Sequence, residues 1–405
     1  MKITGLQVIV TRPGRNFCLI RLETDVPGLY GVGDGTLNGR ELSVAALLEN
    51  HLAPLLIGRD PDQVEDIWQF LFRGSYWRGG PVQVAAVSAV DMALWDIKGK
   101  VAGLPLYSLL GGRCRRGAVC YRHASGGDFP ELEDSVHKLM AKGYKVIRCQ
   151  CAIPGCAGTY GSHGSFGGPG ARSLGERLPL EETWEPRPYL ATVPAMFAHI
   201  RETVGYDIDL FHDVHERLMP IQAAQLAKEL EPFKLLFLED PLRPEHKESF
   251  RLIRQHTTTP LGMGELFTNK WDALPLITEQ LIDYIRCGLT HAGGITECRK
   301  IAAIAEAYHV RTAWHGPPDL APIAHAASVH LDLAIPNFGV QETVLFPPET
   351  HEVISGMPTF EDGYLNVSDA PGLGCDIDLE KAARYPYQRD YLPVSRRADG
   401  SVQDW

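Results

Sequence analysis

Three acids recur at equal intervals in the middle of the chain. Asp213 follows the run Ile208-Asp209-Leu210-Phe211-His212, Glu239 follows Leu235-Leu236-Phe237-Leu238, and Glu265 follows Leu261-Gly262-Met263-Gly264, each acid 26 residues after the one before. The runs have strand length. A parallel barrel of βα units repeats roughly every 30 residues and carries its chemistry at the carboxyl ends of its strands. Any one acid after a strand is ordinarily a solvated loop residue; equal spacing and identical placement set this trio apart. Three carboxylates converging in a partly closed mouth repel one another unless a cation lies between them, and hard oxygen ligands suit Mg²⁺. Asp213, Glu239 and Glu265 are therefore expected to bind Mg²⁺.

Side chains alternate along a strand, so Asp213 and His215 are expected to face one way and His212 the other. If Asp213 points into the mouth, His215 does too and is the candidate catalytic histidine, while His212 packs toward the outer helices. The same parity groups Val146, Arg148 and Gln150. Arg148 is a charge where a core strand would be apolar, either a salt-bridge partner or a site residue, and the site is the favoured reading.

The elements that must position these residues follow an alternation of strand and helix, that of a parallel α/β barrel. Strands are expected at 118–123, 145–150, 208–215, 235–239, 261–265, 284–287, 310–315 and 339–342, with helical patterns between them such as 221–230 and 297–308. Residues 1–112 read as a separate α+β capping domain with strands at 3–10, at 18–23 and around Tyr30. The apolar-rich stretch 84–100 is expected to be a buried helix. Gly31, Gly33, Gly35 and Gly39 fall within nine residues, which suits a mobile loop approaching a ligand or, equally, a hairpin turn. Leu109-Leu110-Gly111-Gly112 reads as the hinge into a barrel spanning 113–345. A Gly-, Ser- and Pro-rich segment, 151–188, follows the second barrel strand and is expected to fold over the mouth as a lid, since long loops in compact domains are commonly functional or disordered. Residues 346–405 carry no barrel signal and are expected to pack back on the capping domain.

With 405 residues, 44% of them hydrophobic and 22% charged, the chain is long enough for a barrel and a second domain. A net charge of −11 without long Lys/Arg runs argues against nucleic acid and anionic membranes as partners. No run reaches the roughly 18 apolar residues of a membrane helix, and the opening alternates like a strand, unlike a signal peptide. A cytoplasmic protein is expected. Nine scattered cysteines suit reduced core thiols. Cys149, Cys151 and Cys156 cluster, but no second metal-ligand pair follows and zinc is not expected.

The trio, together with Glu239-Asp240-Pro241, Gly293-Gly294-Ile295-Thr296 before a helix and His315 at the end of a later strand, resembles the enolase superfamily in its mandelate racemase-like branch. Within that branch the chain resembles the mannonate dehydratase family through Phe211-His212-Asp213-Val214-His215, His315-Gly316-Pro317-Pro318-Asp319 and Asn337-Phe338-Gly339-Val340-Gln341-Glu342. The resemblance implies a modified (β/α)7β barrel of the TIM type with an α+β capping domain. Two departures bear on the base. Many relatives carry Lys-x-Lys at the end of the second strand, where this chain has Arg148-Cys149-Gln150, and arginine cannot serve as an ordinary general base. Many also pair the seventh-strand His with an Asp on the sixth; Gly288 occupies that position here.

The resemblance supplies another base, a tyrosine of the long second loop paired with the second-strand arginine. Tyr160 lies twelve residues past Arg148. A tyrosine ionises near pKa 10, and a neighbouring guanidinium lowers an acid's pKa by roughly 1 to 3 units, which brings it toward working pH. The implied reaction is dehydration of an acid sugar, D-mannonate, to a 2-keto-3-deoxy acid: Tyr160 with Arg148 takes the α-proton, and His215 protonates the departing β-hydroxyl. By the same resemblance Asn38, His123, His315, Asp319 and Glu342 hold the substrate, and the protein is a homo-oligomer. The alternatives are D-gluconate or another acid sugar, racemisation or epimerisation, which the missing Lys-x-Lys weakens, and a barrel with poor turnover kept for sensing or regulation.

Overall fold

The computed structural model describes residues 1–156, 181–316 and 320–404. The chain opens with three antiparallel strands, Ile3–Thr11, Phe17–Thr24 and Tyr30–Asp34. Their buried face packs on the helix Pro81–Ala102, which has proline in its first turn and ends on left-handed Gly103. That helix is buried along most of its length, as its apolar density predicts. Two of the four clustered glycines serve this packing and not a mobile loop. A Cβ on Gly31 would lie 2.0 Å from the Ala93 carbonyl oxygen, and one on Gly33 2.0 Å from that of Ala89. Only a strand without side chains there can approach the helix so closely.

All eight expected barrel strands are present. Ala118–Gly126, Val146–Cys151, Asp209–Asp213, Leu238–Glu239, Leu261–Met263, Tyr284–Ile285 and Arg311–Thr312 pair in parallel in that order. Gln341–Glu342 pairs in parallel with the first strand, and the Thr312–Phe338 bridge joins it to the seventh. The barrel is closed.

Its interior shows the period of two that sequence alternation dictates. Tyr121, Val146, Phe211, Phe237, Tyr284, Ala313 and Val340, from seven strands, form one buried apolar layer. Two residues further along the same seven strands come His123, Arg148, Asp213, Glu239, Arg286, His315 and Glu342. One pleat therefore separates an apolar plug from a polar floor. On the fifth strand the inward position is Gly262, where a Cβ would meet the Phe237 ring at 2.9 Å and Arg286 Cδ at 3.4 Å.

The two domains share a helix end. The barrel helix Gly294–Ala307 has no side-chain cap of its own; the capping domain supplies it. Ser88 Oγ accepts from Gly293 N at 3.1 Å, Asp91 Oδ2 accepts from Thr296 N at 3.0 Å, and Trp95 Nε1 donates to Thr296 Oγ1 at 2.8 Å. Trp68 Nε1 donates to the Gly293 carbonyl at 2.7 Å. Gly294 adopts φ 74°, and a Cβ there would lie 2.4 Å from Asp91 Oδ2, so the Gly-Gly pair is a docking requirement. Burial pushes the Asp91 carboxyl up to about 7, against the hydrogen bonds from Thr296. A carboxyl whose folded-state pKa exceeds its unfolded value favours the folded state at low pH. That advantage disappears as pH rises through the folded value. Asp91→Asn is accordingly expected to match the wild type in thermal stability near pH 4 and to exceed it near pH 8. Parallel melting curves at all pH values would contradict this.

The carboxyl-terminal segment divides. Residues before about 390 lie along the capping domain, with Thr11 Oγ1 donating to the Ala382 carbonyl at 2.8 Å and Thr350 Oγ1 to that of Pro13 at 2.6 Å. The hairpin Thr359–Glu361 with Tyr364–Asn366 adds antiparallel to the start of the first barrel strand. The last residues run elsewhere than the expected return to the capping domain. Val394–Arg396 pairs in parallel with Glu181–Thr183, Gln403 Nε2 donates to the Arg217 carbonyl at 3.1 Å, and Arg243 pairs with Asp404. The tail thus ends at the barrel mouth. The expected loop 151–188 also ends earlier, since a helix begins at Pro186. Among the described residues no helix is long and apolar enough to cross a membrane.

Candidate active site

The polar floor is a connected ring. Arg148, 2% exposed, places Nη1 2.8 Å from Asp213 Oδ2 and donates from Nη2 to His123 Nδ1 at 3.0 Å. Because a guanidinium can only donate, His123 Nδ1 accepts, and its Nε2–H donates to Glu342 Oε1 at 2.8 Å. His123 is thus the neutral tautomer, and burial with the Arg148 charge pushes its pKa down to about 4. Glu342 also accepts from Gly316 N at 2.9 Å and from Arg286 Nη2 at 3.4 Å. Arg286, fully buried, donates from Nη1 to the Ala313 carbonyl at 3.0 Å and pairs with Glu239.

Asp213 and Glu239 are register partners on neighbouring strands, side by side at one level. Glu265 is not in their register, because the residue opposite Glu239 is Gly262. Gly264 at φ 135° turns the chain so that Glu265 arrives from beyond the strand end. There it meets two imidazoles, His215 Nε2 at 3.4 Å and His315 Nε2 at 3.7 Å. Burial would raise the Glu265 carboxyl, but the adjacent His315 and His215 hold it below the usual carboxylate range. His215 does reach the mouth, though not by strand alternation. The strand ends at Asp213, and His215 and Glu216 turn through left-handed φ values of 56° and 66°. Such values are rare outside glycine and mark a geometry imposed by its surroundings. His212 faces outward, with Nε2 2.6 Å from Tyr189 Oη and Nδ1 2.8 Å from the Cys149 carbonyl.

Among the described residues, the acids whose oxygens lie within 4.8 Å of one another are Glu239, Asp240 and Glu265. This trio differs from the sequence-derived one by a single member. Asp240 would point away from the mouth if the strand continued, but its φ of 35° turns it back, and Oδ1 accepts from Gly264 N at 3.1 Å. Asp213 instead spends Oδ2 on Arg148 and Oδ1 on the His215 amide, 2.8 Å away. Among the described residues, the buried carboxylates of Asp213, Glu239, Asp240, Glu265 and Glu342 stand together at the mouth beside the Arg148 and Arg286 guanidinium groups. Burial drives the Glu239 and Asp240 carboxyls well above their usual range, with repulsion from neighbouring acids adding to it. Glu239 Oε1 meets Arg286 Nη2, whereas Glu239 Oε2 and Asp240 Oδ2 lack a hydrogen-bond donor among the described residues. Buried carboxylate oxygens without donors are what a hard divalent cation would satisfy, and this donor set fits Mg²⁺.

Of the expected substrate contacts, His123, His315 and Glu342 stand in the ring. Asn38 lies on the capping loop whose Thr36 carbonyl accepts from His291 Nε2 at 3.2 Å, and the His291 ring sits 6.2 Å from that of His315. Tyr160 and Asp319 lie outside the described residues. Sequence reasoning overlooked Arg286 and Asp240. Arg286 carried the same signal as Arg148, a charge two residues past an inward aromatic or apolar residue. Asp240 carried none, because its orientation depends on a left-handed turn. Cys149 and Cys151 are buried thiols pushed up to about 12 by burial. All nine cysteines are unpaired.

A closed parallel barrel with acids on successive strand ends, roofed by an α+β domain docked through Gly293-Gly294, defines the enolase superfamily. Residues 135–382 match the family described as enolase C-terminal domain-like, and residues 6–111 match the mandelate racemase/muconate lactonizing enzyme N-terminal domain. The chain is 53% identical to a D-mannonate dehydratase of Caulobacter vibrioides and 51% identical to a D-galactonate dehydratase family member of Halomonas elongata, in each case over all of both chains. A solved enolase of Pantoea ananatis with bound D-gluconate and Mg superposes with a TM-score of 0.92 at 43% identity, again over all of both chains. The chain belongs to the mannonate dehydratase family of the mandelate racemase-like branch, and it is a carbon-oxygen lyase of the hydro-lyase class.

Proposed function

We propose that this protein is a Mg²⁺-dependent acid-sugar dehydratase that converts D-mannonate to 2-keto-3-deoxy-D-gluconate. The observation that carries the proposal is the buried cluster of Glu239, Asp240 and Glu265 with Asp213 beside it, set between His215 and the Arg148 and Arg286 guanidinium groups. Glu239 and Glu265 would hold the cation, with Asp213, the register partner of Glu239, as the third ligand. Asp240 then braces the Glu265 turn through Gly264 N. When bound, the cation supplies positive charge to a substrate carboxylate and to the charge developing on it as the α-proton leaves.

The remaining steps fall to side chains. Tyr160 takes the α-proton beside the Arg148 guanidinium, which favours the phenolate. His215, held against Glu265, gives its proton to the departing β-hydroxyl. Asn38, His123, His315, Asp319 and Glu342 orient the sugar, and neutral His123 can offer only the one Nε2 proton that it now gives to Glu342. Arg286 joins this set by its place in the ring, as a fixed positive charge facing the acid end.

D-gluconate is the second reading, supported by the D-gluconate in the Pantoea ananatis enolase. The two acids differ only at C2, which becomes planar when the proton leaves, so both give the same product. The discriminating feature is the face from which the α-proton is taken. Purified protein with Mg²⁺, assayed against both epimers and a wider acid-sugar panel, is expected to form the 2-keto-3-deoxy acid from D-mannonate at the higher kcat/KM. Product from D-gluconate alone would replace the substrate, and product from no acid sugar would overturn the function.

A further inference from the structure

The capping domain contributes a buried carboxylate that touches no member of the ring. Asp34 ends the third capping strand, is fully buried, and accepts four hydrogen bonds. Two come from its own loop: Thr36 N at 2.8 Å and Thr36 Oγ1 at 2.5 Å, both to Oδ1. The other two reach Oδ2 from the barrel. Thr290 Oγ1, just past the sixth strand, donates at 3.3 Å, and Ala321 N, at the start of the helix Pro322–Ala334 after the seventh strand, donates at 2.8 Å. One side chain therefore ties two separate barrel connections to the capping loop. The tie is local to Asn38, which lies two residues past Thr36, and the Thr36 carbonyl is in turn held by His291.

We infer that Asp34 is a positioning residue for substrate binding, holding the Asn38 loop in fixed relation to the sixth- and seventh-strand side of the mouth. The inference rests on the acid-sugar reading above. A carboxylate suits the task because it accepts from all four donors at once; asparagine must turn an NH₂ group toward one pair of them. The proposed metal ligands lie on the third to fifth strands, away from this tie. Asp34→Asn should therefore act on sugar binding and not on the metal.

The test uses the full-length protein loaded with Mg²⁺. Asp34→Asn is expected to raise KM for the acid sugar about tenfold or more while kcat changes less than about threefold, the pattern of lost uniform binding, with Mg²⁺ affinity unchanged. Amide hydrogen exchange should quicken together at 35–38 and at 320–324 and stay as in the wild type elsewhere in the capping domain. Thr290→Val, which removes only the barrel-side hydroxyl, guards against a variant that fails to fold; it should raise KM in the same direction by about threefold. Unchanged KM in both variants, or exchange that quickens uniformly through the capping domain, would overturn the inference. Should the wild type turn over no acid sugar, the function fails, and paired exchange at the two segments still decides whether Asp34 couples them.

Discussion

Replacing Tyr160 with phenylalanine is expected to abolish exchange of the substrate α-proton with deuterated solvent, and with it dehydration. Replacing His215 with asparagine is expected to slow dehydration by roughly 10²- to 10⁴-fold, the usual contribution of a positioned general acid, yet to leave that exchange measurable. The asymmetry follows from the order of steps: in a stepwise elimination the proton leaves C2 before the hydroxyl departs from C3. Arg148 is the anchor of the tyrosine assignment, since its guanidinium is buried and fixed by Asp213 and His123 at the end of the second strand. His215 is assigned by its contact with Glu265, 3.4 Å away. A concerted elimination would remove exchange in both variants. The reverse pattern, exchange surviving in Tyr160→Phe and lost in His215→Asn, would make the histidine the base.

The second large effect concerns the metal. Glu239→Gln is expected to weaken Mg²⁺ binding by on the order of 100-fold or more, since even residues that only support a ligand are worth 10- to 100-fold. The fold should survive. Glu239 is a buried carboxylate crowded by Asp213 and Glu265, and its Oε2 lacks a donor among the described residues, so neutralising it removes desolvation and repulsion costs. Arg286 keeps its contact with Glu342. The melting temperature of metal-free Glu239→Gln should thus equal or exceed that of the metal-free wild type. Asp213→Asn should lose Mg²⁺ affinity comparably and Asp240→Asn much less; the opposite ranking, read by calorimetric titration, would make Asp240 the third ligand.

Much of this site was legible because a barrel strand obeys a period of two. Apolar runs ending in polar residues located all eight strands, and parity grouped Arg148 with the mouth and turned His212 away from it. The same rule applied to Tyr284-Ile285-Arg286 would have found Arg286. Legibility failed where the backbone leaves the strand. His215 and Asp240 depend on left-handed turns that period-two reasoning does not contain, and Glu265 depends on Gly264. Equal spacing along the chain suggested three equivalent acids; in space Asp213 and Glu239 are in register and Glu265 is not. Gly31 and Gly33 read as loop residues because close packing against a helix and conformational freedom leave the same mark in a sequence. The tail was unreadable because its short strand pairs with a partner more than 200 residues away.

The account stands on one requirement, a divalent cation in the carboxylate cluster. Protein stripped with a chelator and freed of it should form no 2-keto-3-deoxy acid from D-mannonate, and added Mg²⁺ should restore product formation along a saturable curve matching its calorimetric binding isotherm. Full turnover by the stripped, metal-free protein would contradict the account.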